Sequence, residues 1–371
     1  VSIVAGALAG LALALLERWR VANLRSALQQ RRLDFGKVLQ RSNPHPRSCD
    51  RGPGRAVSIE QLGELLDYFG DFLRQRTAYY LNSNIVKPLT DQHQLSYSEL
   101  IGPRTLTYFV SHFWGTPFAH FVAALQKHAE GTGLNDWQGI GYWICFLSNN
   151  QWRVKEEVGD GDWRRSSFYL ALLSGHCRAT CLVLDCQALP LTRSWCLFEV
   201  LQTYRLAHES NTDFAGLVFC TSMGVIGQAD NVCYNEAIGL ANRLTGLDVD
   251  LASASNKSDE KMIRELVQAE GGPERINAFI RHNMISSLRV TERQFTNDIQ
   301  SLSDILAAAG GPRAAPGVAD AGVVGGGLLS WGRATGDQSS SDGATGGSSS
   351  FFAMLFTGGR SGAVSAAEEA V

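Results

Sequence analysis

The stretch from Ala179 to Glu199 constrains this chain more than any other. It begins with an uncharged run, Cys181 to Leu184, that ends at an acid, Asp185. A strand buried on both faces of a parallel sheet reads this way, with its carboxyl end emerging at the surface. Pro190 marks a loop, and Thr192 or Ser194 then suits the N-cap of a helix carrying Trp195, Phe198 and Glu199 in its first turns. One helical turn separates Trp195 from Glu199, so the spacing places indole and carboxylate on one face. They would lie at the carboxyl edge of the sheet, where open α/β folds bind ligands.

The elements around this stretch repeat its logic. Tyr108–Ser111, Trp143–Phe146, Leu217–Phe219 and Leu247–Asp250 read as further strands. Helical patterns begin at Phe118, Ser167, Trp195 and Asn235, and another runs from Asp259 to Met284 with a break at Gly271-Gly272-Pro273. Strands alternating with helices, and no hairpin signal between them, imply a five-stranded parallel sheet with helices on both faces. The α/β domain is expected over residues 101–290. A helical segment over 58–100 precedes it, opened by a capping box at Ser58 and Gln61.

The ends read differently. Residues 1–40 comprise an apolar helix followed by a basic one, and the Pro-, Gly-, Arg- and Ser-rich residues 41–57 read as a linker. Val1–Leu16 carries no charge but is shorter than the ~20 residues that cross a bilayer. It reads equally as part of a membrane anchor or as a buried helix. The arginines that follow it would leave the rest of the chain on the cytoplasmic side. A last helix is expected over 291–309. The Gly-, Ser- and Ala-rich residues 310–371 are expected to be disordered, with Phe351–Phe356 an apolar island among them.

Charge and cysteine content exclude several classes. A net charge of −3 and the absence of any nucleic-acid-binding signature argue against a nucleic-acid partner. The eight cysteines lie mostly in apolar segments, without a CxxC pair, and suit reduced thiols in a cytoplasmic protein. His176, Cys177, Cys181 and Cys186 therefore read as structural rather than as a metal site. No P-loop, GxGxxG or GxSxG pattern follows a strand.

Phe109-Val110-Ser111 and above all Ser194, Trp195, Cys196 and Glu199 resemble the Toll/interleukin-1 receptor (TIR) domain and its relatives. The order of elements over roughly Leu106 to Met284 agrees with that resemblance. It implies a flavodoxin-like fold and one of two functions. Some members of the family hydrolyse NAD⁺ with a glutamate at the position of Glu199, and the residue matching Trp195 lines the same pocket. Others act by self-association, as protein–protein interaction modules. On the first reading NAD⁺ is a substrate, no cofactor or metal is needed, and Glu199 is catalytic. The substrate-binding candidates are then Trp195, Ser111, His112, Phe113, Trp114, Trp152, Asp162, Trp163 and Arg193. The sequence departs from the family after Ser111, where it reads His112-Phe113-Trp114-Gly115, and in the loop Asn149–Arg165. A deoxyribosyltransferase-like enzyme with a glutamate nucleophile is a third reading.

Overall fold

Four parallel strands form the centre of the molecule: β2 (Tyr108–His112), β3 (Gly141–Ile144), β4 (Ala179–Val183) and β5 (Leu217–Thr221). The computed structural model describes residues 26–209, 213–228 and 234–309, together with Leu13, Leu15 and Leu16. Short antiparallel strands, β1 (Val57–Ser58) and β6 (Gly224–Val225), close the two edges, giving the order β1-β3-β2-β4-β5-β6. The fold is therefore α/β with a six-stranded mixed sheet.

The expected fifth parallel strand at Leu247–Asp250 is not one. Val249–Leu251 forms a 3₁₀ turn instead. The Asp248 carboxylate takes the Asp250 N–H at 3.0 Å, and the Asn277 side chain takes that of Val249 at 3.1 Å. These local acceptors satisfy the donors that a sheet ladder would otherwise use. Only Ser253 makes a single parallel bridge, to Arg193.

Helices cover both faces because strand side chains alternate. Val110, Ile144, Cys181 and Val183 face one core with Phe118, Phe121, Val122 and Leu125 of the helix Phe118–Glu130. The opposite face sends Phe109 and Trp143 against Phe168 and Phe198, and Leu182 and Phe219 against Leu197 and Leu201. Thr180 and Thr203 join hydroxyls at 2.7 Å, tying β4 to the helix Ser194–Ala207.

The helix Ile59–Leu73 opens with the expected capping box: Ser58 Oγ accepts the Gln61 N–H at 3.2 Å and Gln61 Oε1 accepts that of Ser58 at 2.9 Å. Its apolar side, Leu62, Leu65 and Phe69, joins the first core. Towards the C-terminus, Gly271 and Gly272 adopt φ of 102° and 87° after the helix Lys257–Ala269, as the sequence break implies. Pro273 then starts one helix that runs unbroken to Ala309. The separate helix expected from 291 onward is absent because no Gly or Pro interrupts this span. Thr291 instead donates to the Ser287 carbonyl at 3.1 Å within the helix and accepts the Gly227 N–H.

Among the described residues no helix is long and apolar enough to cross a membrane. Most of Val1–Leu16 and all of 310–371 lie outside the described residues, so the expectations for an anchor and a disordered tail fall there too.

Candidate functional site

The helix Ser194–Ala207 starts at the carboxyl end of the parallel sheet, after β4, a 3₁₀ turn over Leu189–Thr192 and the N-cap residue Arg193. Neither expected capping side chain acts: Thr192 donates to the Leu189 carbonyl at 2.7 Å, and no side chain caps this helix. The Ser194 backbone N–H instead bonds to the Ser253 carbonyl. Glu199 lies one turn into the helix and is only 3% exposed.

A side chain of that kind, this deep, calls for a compensating partner. Glu199 has an incomplete one. Its Oε2 has no hydrogen-bond partner, and neither has the buried Ser111 Oγ. Ser111 approaches closely enough to favour the charged form, but the two fall short of hydrogen-bond geometry. Burial dominates and pushes the Glu199 pKa up to about 8. At neutral pH the group is mostly a carboxylic acid.

Two thiols share this environment. Cys145 follows β3 and accepts the Trp114 indole N–H at 3.0 Å. Cys196 donates to the His112 carbonyl at 3.3 Å. Burial raises both thiol pKa values and the neighbouring Glu199 adds to the rise, so both stay protonated. The cluster is thus a buried group of neutral acids between the ends of β2, β3 and β4. Among the described residues no group of three side chains suited to a metal ion occurs.

The sequence candidates divide accordingly. Ser111 faces Glu199, and Trp114 reaches the cluster through Cys145. Alternation along β2 turns His112 the other way. Its ring packs on Phe121 and Phe146, both nitrogens lack partners, and burial lowers its pKa to about 4. His112 is a neutral core residue whose backbone alone touches the cluster. Phe113 and Arg193 meet at the rim, the guanidinium 5.8 Å from the ring centre.

Trp195 and Trp163 form an outer layer. Trp195 stacks on Phe168 at 5.1 Å and donates its indole N–H to Asp259 at 3.2 Å. Trp163 meets Phe198 edge to face at 5.7 Å. One face of Trp195, a substrate-binding candidate, is therefore already occupied by a phenylalanine ring. Trp152 and Asp162 lie elsewhere: the Trp152 indole bonds Thr90 Oγ1 at 3.0 Å, and the exposed Asp162 caps the short turn Trp163–Arg165.

Sequence reasoning overlooked Cys145, Phe168 and Asp259. Cys145 had one legible signal, its place at the end of a strand beside the first; the other two are set by tertiary packing. It also overlooked the shape of the covering segment. Gly159, Asp160 and Gly161 all adopt positive φ, and a Cβ on Gly159 would meet the Asp162 carbonyl oxygen at 2.1 Å. The backbone there closes too tightly for any other residue.

The site is closed. Surface hollows of about 690, 460 and 290 Å³ are lined by other residues, and none reaches Glu199. Comparison of the chain with known protein families, characterised proteins and solved structures gives no match.

Proposed function

We propose that this chain is a TIR-like signalling domain whose Glu199 serves hydrolysis of the nicotinamide–ribose bond of NAD⁺. One observation carries the reading: a buried carboxyl group with an unpartnered oxygen at the carboxyl edge of a parallel sheet. Such groups cost stability and concentrate where chemistry needs them. The parallel strands run in the order second, first, third, fourth, which matches the start of the flavodoxin-like order. Glu199 follows the third of them and Ser111 lies one residue before the end of the first, so the pair flanks the switch point where that fold class binds ligands.

The chemistry follows from the charge that develops. Departure of nicotinamide leaves an oxocarbenium-like ribose, as in glycoside hydrolysis. A carboxyl group beside the ribose stabilises that cation once it ionises, and before that it can hold a ribose hydroxyl. A pKa near 8 places its ionisation within reach of neutral pH. The free thiols of the described cysteines accord with a cytoplasmic setting.

A second reading rests on a different observation, the depth of the site, with Trp195 stacked on Phe168 and Glu199 only 3% exposed. It makes the chain a non-enzymatic module that acts by self-association. The experiment is to incubate the concentrated protein with NAD⁺ and measure free nicotinamide. Release that is lost in Glu199→Gln, with the fold retained, establishes hydrolysis. Absence of release from the wild-type chain, even when artificially clustered, selects the self-association module.

A further inference from the structure

The wall of the Glu199 site is anchored by residues far away in sequence. Val158, Trp163 and Phe168 pack in one cluster with Cys145, which lies beside Glu199, and with the adjacent Phe198, so the segment Val154–Ser167 and the start of the next helix form one wall of the site. That segment is held from its far side at Glu157, which is 2% exposed. The Glu157 carboxylate takes an N–H of Arg55 at 2.7 Å and the hydroxyl of Ser167.

Arg55 comes from the turn Pro53–Arg55 in the segment read as a linker. Its guanidinium faces two carboxylates, since Glu99 lies at 3.1 Å on the other side. Its Nε and Nη2 also donate to the Cys49 carbonyl. Glu99 completes the assembly by accepting from the Cys49 and Ser96 backbone N–H groups and from the Ser48 and Ser96 hydroxyls. Arg51 adds a bond to the Glu156 carbonyl. A planar guanidinium fixed on several sides holds direction as well as distance, which a lysine ammonium would not.

We propose that Arg55 is the positioning residue of the Glu199 site, and that the segment Ser48–Arg55 is a latch holding Val154–Ser167 closed over it. Withdrawing the latch frees the Glu157 anchor, loosens the wall and opens the pocket to a ligand. The proposal rests on reading the Glu199 pocket as functional and supplies its regulation. Whatever acts on the segment before Val57 then controls access to a carboxyl some 140 residues later in the chain.

Thiol reactivity of the full-length native chain tests this, because cysteines mark both the pocket and the deep core. Cys145 and Cys196 lie beside Glu199, whereas Cys181 and Cys220 sit in the core on the other face of the sheet. Alkylation with N-ethylmaleimide, resolved by peptide mass, is compared for wild type, Arg55→Met and Glu157→Ala. Glu157→Ala removes only the side facing the wall and leaves Arg55 matched by Glu99, so the fold is kept even if Arg55→Met fails to form it.

The latch predicts labelling of Cys145 and Cys196 at least about tenfold faster in Glu157→Ala, with Cys181 and Cys220 still protected. Unchanged labelling of Cys145 and Cys196 overturns it. So does equal acceleration at all four, which would make the cluster a prop of the whole fold. The measurement needs no turnover. Local opening without nicotinamide release refutes hydrolysis and leaves the latch standing.

Discussion

Two buried carboxyl environments, opposite in design, organise this molecule. Around Arg55 the carboxylates of Glu99 and Glu157 are fully surrounded by donors: a guanidinium between them, backbone N–H groups and serine hydroxyls. Burial alone would lower the Arg55 pKa, but the two carboxylates outweigh it and hold the value above normal. Glu199 is buried as deeply and has only an incomplete approach from Ser111. It meets the cost of burial by keeping its proton. The first environment fixes geometry. The second stores a group that a ligand could complete.

The comparison is most exposed at Arg55. Replacing it by Met leaves two carboxylates buried without their cation, and should cost about 3 to 5 kcal/mol in urea unfolding. A loss below about 1 kcal/mol would mean that water already reaches the cluster, and the contrast with Glu199 would fail.

Next in size is acid sensitivity. Burial lowers the pKa of His112 and of His128, the latter bonded to the Tyr142 hydroxyl at 2.7 Å, from 6.5 to about 4. Between these values the unfolded chain binds more protons, so stability falls as pH drops from 6.5 towards 4, by about 3 kcal/mol for each histidine. Removing His112 as His112→Phe should flatten part of that limb in denaturation measured at pH 4 to 7. An unchanged limb would show that its ring is solvated.

A smaller effect separates the outer layer from the pocket. Trp195→Ala removes the Phe168 stack and the Asp259 bond, and should lower stability by about 2 kcal/mol. If the stack only walls the pocket, Trp195→Phe should restore most of the thermal midpoint. Asp162→Ala, at an exposed three-residue turn, should change stability by less than about 1 kcal/mol. A larger loss would mean that this cap fixes the shape of the wall segment Val154–Ser167 and not only its own turn.

The parts of this architecture that were legible in sequence are those set by local pattern. Val110 and Cys181 stand in uncharged, β-rich runs, Ser58 and Gln61 sit at capping-box spacing, and Glu199 follows a strand by one loop. The edge strands Val57–Ser58 and Gly224–Val225 are too short to leave a period. Leu247–Leu251 had strand-like alternation, yet Asp248 and Asn277 captured its donors, and only the folded chain brings Asn277 there. Arg55 lay within a run whose composition reads as linker, while its partners stand at positions 99 and 157. Nor could the sequence distinguish a Trp195 face open to a ligand from one covered by Phe168, because both leave the same helical spacing.

The most direct test is the stability of wild type and Glu199→Gln at matched pH from 4.5 to 8. The unfolded chain loses the Glu199 proton near 4.5 and the folded chain keeps it to about 8. Across that window the folded state binds more protons, so this group makes stability fall as pH rises. The amide has no proton to lose. The two proteins should differ least near pH 4.5, and Glu199→Gln should gain with rising pH, reaching an advantage of about 3 kcal/mol at pH 7. Parallel curves across the window would contradict this, because they would mean that Glu199 ionises like any exposed carboxyl and is not held protonated by burial.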